Sequence, residues 1–83
     1  MKECWIVWDS HNEVIGVYET GRDARDKVLS LYEEIAELND FPEEEITETS
    51  NELYNESFYE DKFGVDGIVY CEKTKYFPNS LTL

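Results

Sequence analysis

Basic residues are scarce in this chain: seven lysines and arginines stand against twenty aspartates and glutamates in 83 residues, a formal net charge of -13. Designed domains of this size carry a net charge of roughly 2 to 8 in magnitude. The excess makes a compact chain repel itself, so it calls for a compensating use. Such a balance is wrong for gripping phosphate, so DNA, RNA and anionic membranes are not expected as direct partners. Apolar runs are short, and none approaches a signal peptide or a membrane span. Met1-Lys2-Glu3 leads straight into a strand-like segment, and a cytoplasmic protein is expected.

Catalytic and metal-binding residue types are equally thin. The single histidine, His11, stands beside Asp9 and Ser10 in turn chemistry, where sequence neighbours point in different directions. A nucleophile and its base must converge from separate elements, so His11 reads as a turn residue and no enzyme is expected. The two cysteines, Cys4 and Cys71, lie in apolar runs without CxxC spacing or paired histidines, which argues against zinc. A disulfide between them is conceivable if their strands are neighbours, but buried free thiols are the expected state in a reducing cytosol. No aspartate-rich loop of calcium-binding pattern and no glycine-rich phosphate loop occurs, so neither a specific metal nor a cofactor is expected.

What the chain does have is a core. Hydrophobic residues make up 41% of it, and its aromatics are spread along its length, unlike a disordered acidic tail. Residues 1–83 are expected to form one domain, burying about 60% of the unfolded surface.

Residues 4–8 and 14–18 are aromatic and β-branched runs flanking Asp9-Ser10-His11-Asn12, which predicts a β-hairpin. Both runs are apolar at nearly every position, which suggests a sheet covered on both faces. Thr20 is placed to cap a helix, and Ala24, Val28, Leu31, Ile35 and Leu38 repeat at spacings of four and three, forming one helical stripe that ends at Asn39. A second helical region follows Pro42, with a break expected near Thr47, Thr49, Ser50 and Asn51, which are poor helix formers. Ser50 then caps a helix over residues 51–62, with Leu53, Tyr54, Phe58 and Asp61 along one side and Gly64 as terminator. Residues 46–49 could instead be a short edge strand. Residues 67–72 predict a third strand, extendable towards Phe77. The expected fold is α+β in the order ββααβ: a three-stranded, mostly antiparallel sheet with two helices packed on it.

Between residues 28 and 61 there is no lysine or arginine, while Glu33, Glu34, Glu37, Asp40, Glu43, Glu44, Glu45, Glu48, Glu52, Glu56, Glu60 and Asp61 supply twelve carboxylates. Glu44, Glu48, Glu52, Glu56 and Glu60 recur every four residues. On a helix this sets carboxylates about 6 Å apart along the axis, a spacing that destabilises an isolated helix by a few tenths of a kcal/mol per pair. An ordinary solvated surface is the plain reading. The sharper one is that fixed negative points resemble the outline of a nucleic-acid backbone.

With residues 33–61 and the hairpin over residues 4–18, the chain is similar in composition and architecture to small phage or mobile-element inhibitors of host defence, including DNA-mimicking anti-restriction and anti-CRISPR proteins. The resemblance rests on no diagnostic motif. It implies stoichiometric inhibition, by occupying the basic channel of a DNA- or RNA-handling protein such as a nuclease. The partner-binding residues expected from the acidic window are Glu37, Asp40, Glu44, Glu45, Glu48, Glu52, Glu56, Glu60 and Asp61. The alternative is a small adaptor or homodimer binding through an apolar patch on its sheet, with Trp5, Trp8, Tyr18 and Tyr70 as candidates. Trp5 and Trp8 are three apart in a strand and so face opposite sides, one of them inward.

Overall fold

In the computed structural model, which describes residues 2–56 and 61–76, six elements follow one another. They are β1 (Lys2–Asp9), β2 (Val14–Tyr18), α1 (Gly21–Leu38), α2 (Glu43–Glu56), β3 (Lys62–Val65) and β4 (Val69–Tyr76). The fold is α+β as expected, but the sheet has four strands where three were predicted, in the order β2-β1-β4-β3, antiparallel throughout.

The hairpin forms for the reason its sequence suggests. The Asp9 carboxylate accepts the backbone N–H groups of His11 (2.8 Å) and Glu13 (3.0 Å), while Asn12 takes the left-handed conformation at φ 63°, as asparagine readily does in turns. One extra residue, Ile15, interrupts the register between Val7 paired with Gly16 and Trp8 paired with Val14. Such a bulge strengthens local twist.

The unexpected strand is β3, which begins at Lys62, the last residue of the expected helix, and includes Gly64, its expected terminator. Gly64 terminates no helix; it lies in mid-strand, paired with Tyr70, at φ 153°. A Cβ there would come within 2.3 Å of the Val69 carbonyl oxygen and 2.9 Å of Tyr70 Cα. β3 therefore reaches β4 at a point where only glycine fits. A four-residue run containing lysine and glycine gives almost no strand periodicity to read.

Helix α1 starts where Thr20 Oγ1 accepts the Asp23 N–H (3.2 Å). It ends at Asn39, with the N–H of Phe41 donating to Ala36 O (3.0 Å) and that of Asp40 to Glu37 O (3.2 Å). This paired closure requires a left-handed residue after the cap, and Asp40 fills that place at φ 55°. The buried line differs from the predicted stripe: Ala24, Arg25, Val28, Tyr32 and Ala36 are buried, Leu31 and Ile35 flank them, and Leu38 is 76% exposed. Steps of four residues turn about 40° around the axis, so this line rotates as it ascends, from the sheet towards the neighbouring α2. Leu38 falls on the side left behind.

Helix α2 runs unbroken through Thr47, Thr49, Ser50 and Asn51, against the expected break and against the strand alternative. Packing overrides weak propensity here: Leu53 is 1% exposed, Ile46 packs on the core, and Ser50 Oγ donates to Glu33 Oε1 on α1 (3.4 Å). Phe58 lies outside the described residues, and Asp61 precedes β3 rather than lying on a helix. Both helices cover one sheet face, where Val7, Phe63, Val69 and Cys71 share a single core with Ala24, Val28, Tyr32, Ala36 and Leu53.

Candidate functional site

Helix geometry decides where the α2 carboxylates go. With about 100° per residue, Glu44 and Glu48 fall on the side of the cylinder roughly opposite the buried Leu53. Glu45 and Glu52 fall on the outer flank, and Glu43 on the flank towards α1. All five are exposed. A groove between the helices is lined by Glu33, Glu37, Asp40 and Glu43 around Phe41, Ile46 and Thr47. The adjoining depression on α2 is lined by Glu43, Glu44, Thr47, Glu48 and Asn51. Glu43 and Thr47 belong to both, so the acid is continuous from the C-terminal turns of α1, across the crest of α2, to its far flank.

Of the expected partner-binding residues, the structure brings Glu37, Asp40, Glu44, Glu45, Glu48 and Glu52 onto this surface. Glu56 is the last residue of α2 and its side chain lies outside the described set, as does all of Glu60. Asp61 does not join them. It sits just before β3, with Oδ1 3.9 Å from Lys73 Nζ and its carbonyl accepting the Lys73 N–H (2.7 Å). Glu33 and Glu43 line the groove but were not among the expected residues. The every-fourth-residue row on α2 misses them, whereas asking which carboxylates face a neighbouring helix would have found them.

No described lysine or arginine lines either depression. Arg25 is buried beneath α2, its guanidinium carbon 4.2 Å from the Tyr54 ring centroid and its Nη2 3.1 Å from Asp26 Oδ1. Lys62 reaches Glu72 (3.8 Å) and Lys73 reaches Glu3 (3.1 Å), both in the sheet. Lys27 lies about 9 Å along the α1 axis from Glu33 and about 15 Å from Glu37, and about 120° around the helix from Glu33. Among the described residues, no ion pair neutralises the α1–α2 surface.

The surface also breaks local rules. Neither helix has a basic residue in its last turn, where the helix dipole favours cations. Asp40 instead places a carboxylate just past that end, in a backbone conformation that glycine adopts at least cost.

The opposite sheet face divides the four aromatic candidates. Trp5 faces the helices, with its ring centroid 5.8 Å from Phe63 and 5.7 Å from Lys73 Nζ. Tyr18 packs on the same core, its ring lying over Gly16. Neither belongs to an exposed patch, because alternation places both on the inward side. Trp8 and Tyr70 do face outward, directly opposed across β1 and β4. Val14 (57% exposed) and Val17 (44%) extend the apolar surface and were not anticipated. No described helix lies on this face; Cys4, which points to it, is buried, whereas Val14 and Val17 leave it open.

Cys4 pairs with Thr74 and Cys71 with Val7 in the β1 and β4 register. The two cysteines are therefore three positions apart, about 10 Å along the strands, and on opposite faces, too far for a disulfide. Burial raises both thiol pKa values, that of Cys71 from 9.0 to about 12 with help from the Glu72 charge. Among the described residues, no group of three His, Cys, Asp or Glu side chains is arranged to hold a metal ion, and no helix is long and apolar enough to cross a membrane. His11 is exposed in the hairpin turn. No protein-family model, no curated protein and no solved structure matches this chain.

Proposed function

We propose that this chain is a stoichiometric protein inhibitor that presents the α1–α2 carboxylate surface to the basic groove of a DNA- or RNA-handling protein, such as a host-defence nuclease. One observation carries the reading: the acid is continuous and exposed, with no ion pair across it among the described residues, on two helices fixed to one core. Charges on an ordered backbone bind better than a flexible acidic tail, because only their side chains remain to be ordered on association. Along α2, Glu44, Glu48 and Glu52 advance about 6 Å per step, against about 3.4 Å of axis per charge along one nucleic-acid strand, and the carboxylates of α1 add to this row. A groove shaped for phosphate meets a comparable potential here, and counterions are released on binding.

The second reading, an adaptor or homodimer using the outward sheet face, draws on Trp8 and Tyr70 with exposed Val14 and Val17. As a homodimer it brings two chains of charge -13 together, which self-repulsion opposes.

The test is capture from lysate on immobilised wild type and on a Glu44→Lys, Glu48→Lys, Glu52→Lys variant of unchanged circular dichroism. The proposal expects nucleic-acid-binding proteins on the wild type only, displaced by duplex DNA. Partners that bind both proteins equally and ignore DNA would overturn it.

A further inference from the structure

A groove of about 520 Å³ opens on the sheet face away from the helices; Trp8, Asn12, Lys62, Asp66, Tyr70 and Glu72 line it together with Gly64 and with Phe63 and Cys71, whose side chains belong to the core on the other face. That volume is in the range of small binding sites, about 300 to 1,000 Å³. Gly64 leaves the groove without a side chain at the position paired with Tyr70. The Tyr70 ring is fixed: its hydroxyl accepts the Gly67 N–H (2.9 Å) and donates to Asp66 Oδ1 (3.4 Å). Trp8 stands directly opposite Tyr70 on β1. Two aromatic rings, two carboxylates and an amide therefore converge, and the one lining cation, Lys62, is 76% exposed with Nζ 3.8 Å from Glu72.

We propose that this groove seats an arginine side chain from an extended cationic segment of a protein partner. Aromatic faces attract cations, and a planar guanidinium combines stacking with forked hydrogen bonding to carboxylates. Asp66 and Glu72 supply acceptors, and an arriving guanidinium displaces Lys62 from Glu72. Charge selects this occupant over the others. A second copy brings another -13, and an anionic membrane or nucleic acid is repelled likewise. The site goes beyond the inhibitor reading, because it lies on the other side of the sheet from the acidic helices.

The experiment follows the two tryptophan indole N–H resonances by NMR while the full chain is titrated with an acetylated, amidated peptide of alternating arginine and valine. Matched lysine and glutamine peptides are run alongside. The proposal expects a saturable shift of the Trp8 indole with the Trp5 indole, half-buried on the helix side of the sheet, unmoved. The lysine peptide should bind roughly two- to fivefold more weakly, and the glutamine peptide should cause no shift. Trp8→Ala should abolish groove binding. Asp66→Asn with Glu72→Gln, nearly isosteric and independent of any packing loss at Trp8, should weaken it about tenfold. The shift should persist in the Glu44→Lys, Glu48→Lys, Glu52→Lys variant, so failure here is distinguishable from failure of the inhibitor reading. Equal shifts with the glutamine peptide, shifts confined to α1 and α2, or a Trp8 shift that depends on protein concentration without peptide would each overturn the proposal, the last by showing that a second copy occupies the face.

Discussion

Replacing Glu48 by lysine should stabilise the free protein. Glu48 is exposed at mid-α2, one turn from both Glu44 and Glu52. Each of these like-charge pairs costs about 0.2 to 0.5 kcal/mol, and each opposite-charge pair that replaces it contributes a similar amount. Two pairs change sign, so the expected gain is about 1 kcal/mol at low salt. For a domain of this size that raises Tm by roughly 4 to 8 °C. Glu48→Gln, which removes the repulsion without adding attraction, should give about half the gain. Thermal and urea unfolding at low ionic strength and in about 1 M salt would measure it, since screening at 1 M contracts to about 3 Å and should erase most of the difference. Wild type itself should gain stability with added salt. A Glu48→Lys protein no more stable than wild type, or a gain that survives high salt, would refute the claim that α2 carries unneutralised repulsion. The same substitution should weaken partner binding, so stability and function should move in opposite directions.

Asp40→Gly should stabilise by about 1 kcal/mol in urea unfolding, because glycine accepts the left-handed backbone that closes α1 and the change removes a carboxylate from the negative end of the helix. Gly64→Ala should cost about 2 to 3 kcal/mol, since the new methyl meets the Val69 carbonyl and the backbone conformation is strained. Loss of protection in β3 amides by hydrogen exchange would locate the damage, and wild-type stability would refute the strand's geometry. Native Cys71 should resist alkylation at pH 8, because burial holds it as a thiol. Its folded pKa of about 12 lies above the unfolded value. Its contribution to stability is therefore full below about pH 8.5 and should be lost as pH rises from there towards 12. Cys71→Ser should flatten that alkaline decline in denaturant titrations, and an undiminished decline would assign it to other groups.

Local chemistry made the hairpin and α1 legible. Asp9 with Asn12 builds the turn, Thr20 caps the helix, and four-and-three spacing marks its buried side even though Leu31, Ile35 and Leu38 lie off the line that is most buried. The remainder depended on contacts between distant residues. Propensity breaks α2 at Thr47 to Asn51, but Leu53 and Ile46 anchor it to a core that the segment alone does not reveal. β3 is defined by what lies opposite Gly64, namely the backbone of β4. At the acidic surface, the charge pattern pointed to Glu44, Glu48 and Glu52, while the groove formed with Glu33 and Glu43 required knowing that the helices pack side by side. Arg25 gave no sequence signal for burial, because the Tyr54 ring it stacks on lies across the helix interface.

Recognition of the α1–α2 carboxylates by a basic protein, in place of nucleic acid, must show itself in salt dependence. The most direct measurement is the affinity of a captured partner as salt rises from about 50 to 200 mM, with wild type and the Glu44→Lys, Glu48→Lys, Glu52→Lys variant side by side. Wild type should lose at least about a hundredfold across that range, of the size seen for phosphate-like multivalent contacts, and the variant should show no measurable binding at any salt. Affinity that is flat with salt and shared by both proteins would contradict it.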